Sequence, residues 1–268
     1  MQKTILITGS TDGIGIETAR TLLTQGHHIL LHGRNPTKLQ DAETALQSMA
    51  GQGTVDTFLA DLSHLSEVKM LADTVAQKYG NLDVLINNAG VYRTSHPLTK
   101  DGLDVRFVVN AIAPYLLTQL LLPILTTSGR VVNVSSAAQS PVDLKALAEY
   151  VALADDVAYA QSKLALTMWS RHMALALGDS GPMIIAVNPG SLLGTKMVKD
   201  AYGIAGGDVG MGADILSRAA VSEEFATTSG QYYDNDSESF ASPHPDALDQ
   251  SKMDEVVAVI ANLLSRLN

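Results

Sequence analysis

Tyr159 and Lys163 stand four residues apart in "AYAQSKLAL" (158–166), a stretch whose alanines and leucines repeat at helical spacing. Four residues make about one turn, so the phenol and the ammonium leave the helix on the same face. Such a pair can move a proton. An unperturbed phenol, with a pKa of about 10, is a sluggish base at neutral pH. A lysine cation within reach stabilises the phenolate and lowers that pKa, each unit corresponding to about 1.4 kcal/mol. A phenol so poised suits proton delivery to an oxygen that is becoming an alkoxide. Taken alone, the pair reads more readily as a packed tyrosine beside a solvated lysine, and the other motifs must decide.

A second chemical signal lies near the N-terminus. "TGSTDGIG" (8–15) follows the apolar run "TILIT" (4–8) and opens a helical pattern. Gly9, Gly13 and Gly15 give a G-x-x-x-G-x-G spacing, with Ser10, Thr11 and Ile14 between them. Glycines so spaced allow a sharp turn, close approach of backbone to a pyrophosphate, and tight packing of helix on strand. The helix start adds free N–H groups and the positive end of its dipole. A dinucleotide cradle is the reading. An NAD-binding unit usually ends its second strand on Asp or Glu to hold the ribose 2′-OH. Here "LLHGRN" (30–35) offers Gly33, then Arg34 and Asn35. An arginine can meet a 2′-phosphate with paired, charge-assisted hydrogen bonds, which favours NADP(H) over NAD(H). Asp12, an anion in the glycine loop, opposes that preference.

Two other patterns carry no chemistry. His28 and His32 lie four apart on a strand, about 13 Å, too far to share one ion, so no metal site is expected. The acidic run "DNDSES" (234–239) lacks the glycine and terminal Glu of a calcium loop and reads as solvated surface.

The elements that must position these groups alternate along the chain. Strand candidates are 4–8, 28–32, 57–60, 82–87, 130–135, 183–188 and 230–234, with helical patterns at 14–25, 36–49, 64–79, 101–126 and 157–177. Near-continuous Val/Ile/Leu strands are buried on both faces, as in a parallel sheet. Alternating βαβ units give a doubly wound α/β sheet of about seven strands with helices on both faces, a Rossmann-type fold. No linker or internal repeat divides residues 1–268, so one domain is expected. Ligands in such sheets bind beyond the carboxyl ends of the strands, where the motifs fall.

Composition narrows the classes. The chain has 268 residues, a formal charge of −10 and no cysteine. That charge argues against nucleic acid, and the missing cysteines exclude disulfide and thiolate chemistry. No secretory signal pattern precedes the first strand. The apolar stretch "AIAPYLLTQLLLPIL" (111–125) reads as too short and too interrupted to span a bilayer. A cytoplasmic protein without membrane attachment is expected.

"TGSTDGIG", "NNAG" (87–90), Asn110, "VNVSS" (132–136), "YAQSK" (159–163) and "NPG" (188–190) occur in the order found in short-chain dehydrogenases/reductases, and the resemblance runs from Lys3 to the last helix. Within that family the chain looks most like the retinol-dehydrogenase-like members, through 98–125, the "GQYY" strand (230–233) and the long gap before Tyr159; no membrane anchor precedes the first strand, which suggests a soluble relative. The resemblance implies that Tyr159 is the catalytic acid/base and Lys163 its partner, which also binds the nicotinamide ribose. It implies that Ser136, the second serine of its motif, binds the carbonyl oxygen, and that Asn110 belongs to a proton relay. An asparagine inside a helix is mildly unfavourable, which by itself suggests a specific hydrogen-bonding task. Asp61 and Leu62 would meet the adenine, although Asp61 could equally cap the next helix. Asn88, Ala89 and Gly90 would line the cofactor, and Pro189 and Gly190 would pack by the nicotinamide. Relatives place a Thr or Ser five positions after that proline; here Thr195 comes at six, which weakens its carry-over.

A lid over residues 191–220 is expected from their glycine and methionine content. The substrate is expected to be an apolar aldehyde or ketone, or the matching alcohol; Lys145, Lys196 and Lys199 are the cations that could anchor an acid if they point inward. The resemblance also implies a homo-oligomer through the helices carrying Asn110 and Tyr159, unless residues 137–158 cover that surface. Two rivals remain. A non-catalytic nucleotide sensor needs only the glycine loop, and the epimerase/dehydratase branch has another glycine spacing and a longer substrate domain.

Overall fold

The computed structural model describes residues 1–49 and 53–267. Strands β1 (Thr4–Ile7), β2 (His28–Gly33), β3 (Thr54–Leu59) and β4 (Leu82–Asn87) alternate with helices α1 (Gly13–Thr24), α2 (Pro36–Gln47) and α3 (Leu65–Tyr79). A short helix α4 (Val105–Phe107) runs through a π-helical turn, Val108–Ile112, into α5 (Ala113–Leu121). Then follow β5 (Leu125–Val134), α6 (Leu144–Ala148), α7 (Asp155–Leu177), β6 (Met183–Asn188), α8 (Lys196–Tyr202) and α9 (Val209–Val221). The chain closes with β7 (Tyr232–Asp234), β8 (Ser239–Ala241) and α10 (Gln250–Arg266).

One sheet holds all eight strands in the order β3-β2-β1-β4-β5-β6-β7-β8. Every pairing is parallel except β7 with β8. The expected seven or so strands are eight among the described residues. The extra one, "SFA", is three residues long and mostly exposed, too short to announce itself by pattern. Strand β3 also starts earlier than its apolar run, because it lies at the sheet edge, where Thr54 and Asp56 can face water.

Apolar residues fill both faces, as a doubly wound sheet requires. One cluster joins Leu6, Leu30 and Leu85 to residues of α3, α5, α7 and α10. The other joins Ile5, Ile29 and Ile86 to α1, α2 and α9. At the centre of the first, fully buried Trp169 meets Tyr115 edge-on at 5.5 Å.

The helix expected over 101–126 starts later and is not uniform. Asp104 caps it by accepting from the Arg106 N–H at 2.8 Å. Pro114 has no N–H for the carbonyl of Asn110, four residues back, so an α ladder cannot continue through this point and the turn widens. Arg106, only 2% exposed, grips Asp104 and also reaches Asp155 in the first turn of α7 at 2.6 Å. That ion pair ties the element carrying Asn110 to the helix carrying Tyr159. The helical run Val105–Ile124 is long and apolar enough to cross a membrane by length and composition, contrary to the shorter reading, but most of it is buried within the fold.

Candidate active site

Backbone geometry explains the glycine loop. Gly9 adopts φ +64°, and a Cβ there would lie 2.8 Å from Ala89 Cα. At Gly15 a Cβ would meet the Gly9 carbonyl oxygen at 2.4 Å. The loop is strapped from two sides. Asn88 Nδ2 donates to the carbonyls of Thr8 and Gly9 at 2.9 and 3.0 Å. From β2, His32 Nδ1 accepts the Gly9 N–H at 3.1 Å, while its Nε2 pairs with the Ala60 carbonyl at 3.1 Å. Burial pushes the His32 pKa down to about 4, so the ring is neutral at pH 7. The sequence offered His32 only as a rejected metal ligand.

A cleft of about 770 Å³ runs from this loop over the carboxyl ends of the strands. Gly9, Thr11, Gly13, Ile14, Gly15, Arg34, Asp61, Leu62, Asn88, Ala89, Gly90, Pro189 and Gly190 line it, with Ser136, Tyr159 and Lys163 further along. Two expected contacts are not on its wall. Ser10 is buried beneath the loop, its Oγ accepting from His32 N at 2.9 Å. Asn35 caps α2 by accepting from Lys38 N at 3.0 Å. Asp61 does not cap α3, whose N-cap is His64; its Oδ1 accepts from Ser63 N at 2.9 Å.

Arg34 is exposed at the cleft wall. The opposing anion is already compensated. Asp12 caps α1 and pairs with Lys38 at 2.8 Å, and that hydrogen bond draws its pKa below the ordinary carboxylate value.

Tyr159 and Lys163 share one face of α7, with Nζ 5.7 Å from the phenol ring centroid. Lys163 is 3% exposed and donates to the Val134 carbonyl at 2.6 Å. Burial pushes its pKa down to about 8 and pushes that of Tyr159 up, a rise opposed by a hydrogen bond from Ser136. Ser136 Oγ accepts from Ala138 N at 3.1 Å, which leaves its proton for the phenol oxygen. Ser135 points the other way, bonding Thr167 Oγ1 at 2.7 Å inside the core. Asn110 uses its side chain structurally. Oδ1 accepts from Val91 N at 2.7 Å, and Nδ2 donates to Val91 O and Ser162 Oγ, both at 2.9 Å. A proton relay through the amide side chain is therefore not what this geometry offers; it holds the loop after β4 against α7.

The expected lid is too wide. Within 191–220, helix α9 packs on the sheet with Ile215, Leu216, Ala219 and Ala220 fully buried, which leaves residues 191–208 as the covering segment. Its entry is braced by the acidic run expected to be solvated surface. Asp236 accepts from Ser191 N at 2.8 Å, and Asn188 Nδ2 donates to Asp234 and Asp236 at 2.7 and 2.9 Å. Thr195 caps α8, and its Cγ2 lies 3.4 Å from where a Gly13 Cβ would stand. At the far end, Tyr202 stacks on Tyr92 at 5.9 Å with their hydroxyls 3.1 Å apart, and Tyr92 meets Tyr159 edge-on at 4.9 Å. Of the three lysines considered as anchors only Lys196 lines the cleft, and it pairs with Asp200. The cleft also contains Arg93, which donates to the Ala201 carbonyl and which the sequence did not single out.

The family model described as "short chain dehydrogenase" matches residues 3–203. Retinol dehydrogenase 13 of Homo sapiens is 30% identical over 284 residues, covering 98% of this chain and 84% of that protein. A crystal structure of an uncharacterized protein from Mycobacterium Paratuberculosis superposes with a TM-score of 0.80 at 29% identity, covering 98% and 93% of the two chains. A short chain dehydrogenase from Burkholderia cenocepacia J2315, in complex with NADP, gives a TM-score of 0.68 at 25% identity over 87% and 95%.

Proposed function

The chain belongs to the short-chain dehydrogenase family, and on that premise we propose that it is an NADP(H)-dependent oxidoreductase acting on an apolar aldehyde or ketone, or the matching alcohol. One observation carries the reading: Ser136, Tyr159 and Lys163 converge at one end of a cleft whose other end is the glycine loop. The cleft fits a dinucleotide. Its loop can turn tightly against Ala89 and onto itself because Gly9 and Gly15 carry no Cβ, the loop lines the cleft wall, and the cleft volume is in the range of ligand sites.

When bound, the nicotinamide supplies or takes up the hydride. The hydroxyls of Ser136 and Tyr159 hold the substrate oxygen, and Tyr159 gives up its proton as that oxygen becomes an alkoxide. With a pKa of about 8, Lys163 is mostly protonated at pH 7 and stabilises the phenolate left behind. Asn110 holds Val91 and Gly90 in place beside Lys163. The NADP preference rests on Arg34, on the absence of a carboxylate at Gly33 and on the pairing of Asp12 with Lys38. The Burkholderia relative's bound NADP supports it. Tyr92, Val109, Met197, Val198 and Tyr202 give the substrate end its apolar character.

The test is oxidation of NADPH, with NADH in parallel, against a panel of aliphatic and aromatic aldehydes and ketones. Turnover with apolar members and a preference for NADPH are expected. Preference for NADH, or tight NADPH binding with no turnover on any member, would contradict the reading.

A further inference from the structure

We propose that His32 is a positioning residue for the nucleotide, its imidazole locking the glycine loop to the loop that carries Asp61. This rests on the cofactor reading above. The ring lies between the two loops with one nitrogen committed to each. Gly9 N–H can only donate and the Ala60 carbonyl can only accept, so Nδ1 is the acceptor and Nε2 carries the proton. The backbone of the same residue adds two more links. The Ser10 N–H donates to His32 O at 2.9 Å, and His32 N donates to Ser10 Oγ at 2.9 Å.

Gly9 is where the chain turns from β1 into the loop at positive φ, and a displacement there moves every N–H offered to a pyrophosphate. Ala60 leads directly into Asp61 and Leu62 at the adenine end of the cleft. The imidazole thus sets the spacing between two walls of the nucleotide cleft while touching the cavity only at its margin. It is 2% exposed, so no water competes for either nitrogen. A preformed cleft binds tighter because the cost of ordering it is met before the ligand arrives.

Two conservative variants separate the two bonds. Asparagine places its oxygen close to the Nδ1 position and can keep the Gly9 contact. Glutamine places its amide nitrogen close to the Nε2 position and keeps only the Ala60 contact. Dissociation constants for NADPH and NADH are measured by nucleotide fluorescence, and hydrogen exchange of the Gly9 amide is measured in the free protein. His32→Gln is expected to weaken both nucleotides about tenfold, the effect of one lost hydrogen bond, with their ratio unchanged. Its Gly9 amide exchanges faster. His32→Asn gives up the Ala60 contact instead and is expected to weaken both nucleotides by a similar factor, but it keeps the Gly9 amide protected. Wild-type affinity in either variant, or a Gly9 amide that exchanges equally fast in both, would overturn the proposal, the second result making His32 a packing residue. If the wild type binds neither nucleotide, the functional reading falls first, while the Gly9 exchange rates still report whether His32 holds the loop.

Discussion

At Tyr159, burial and the hydrogen bond from Ser136 pull in opposite directions, and burial is the larger. Burial raises the phenol pKa, so Tyr159 keeps its proton through neutral pH, as the proposed role of acid in carbonyl reduction requires. Alcohol oxidation needs the phenolate, which forms only as pH rises. The expected profiles are therefore unlike. Reduction stays level below about pH 8 and falls above it as Lys163, with a pKa of about 8, loses the charge that stabilises the phenolate left behind, whereas oxidation climbs from about pH 6 toward 8; kcat measured in both directions over pH 6 to 10 checks this, and a reduction rate that climbs with pH would contradict it. Arg34 bears on the proposed choice of cofactor. Arg34→Ala is expected to weaken NADPH by about ten- to a hundredfold, as loss of a charge-assisted contact implies, and NADH by less than about threefold. Equal losses for the two nucleotides would remove the 2′-phosphate argument. Residues such as Tyr159, Lys163 and Gly9 were legible because their meaning lies within a few positions of sequence. His32, Arg93 and Asp236 were not, because their partners Gly9, Ala201 and Ser191 are brought to them only by the fold.

Among the elements, the passage from α4 through the π turn into α5 does the most to build the site. Pro114 interrupts the helical ladder at Asn110, and Arg106 bolts the same segment to the start of α7. Apolar periodicity announced a helix here, but it could not announce a wider turn, since the hydrophobic pattern barely changes over five residues. Proline was the only local clue. Strand β8 was missed for a related reason: three exposed residues have no pattern to read. The acidic run before it was read by composition, although Asp234 and Asp236 in fact brace the entry to the covering segment. Arg106→Ala leaves Asp104, 1% exposed, as a buried charge without its partner. Urea unfolding is expected to show a loss of about 3 to 5 kcal/mol, the usual effect of breaking a buried pair. A loss below about 1 kcal/mol would mean that water reaches Asp104 and that the pair is not needed.

Across the whole molecule, the order of the sheet and the burial of both its faces follow from the alternation visible in the chain. What lies over α7 does not. Helix α10 packs its Met253, Val256 and Ile260 into the same core cluster as Leu164, Trp169 and Met173, and α6 joins that cluster through Ala146 and Leu147. The face of the Tyr159 helix that could meet a second copy is thus covered from within the chain. A monomer of about 28.4 kDa is the expected result of light scattering behind a sizing column, and a stable dimer would show that α5 or another surface serves instead. The central claim is that this cleft transfers hydride with Tyr159 as the proton donor, and one comparison tests it most directly. Turnover of NADPH with the best carbonyl substrate and the NADPH dissociation constant are measured for the wild type and for Tyr159→Phe. The account predicts that turnover falls by about a hundredfold to ten-thousandfold while the dissociation constant changes less than about threefold. Near-normal turnover in the phenylalanine variant would contradict it.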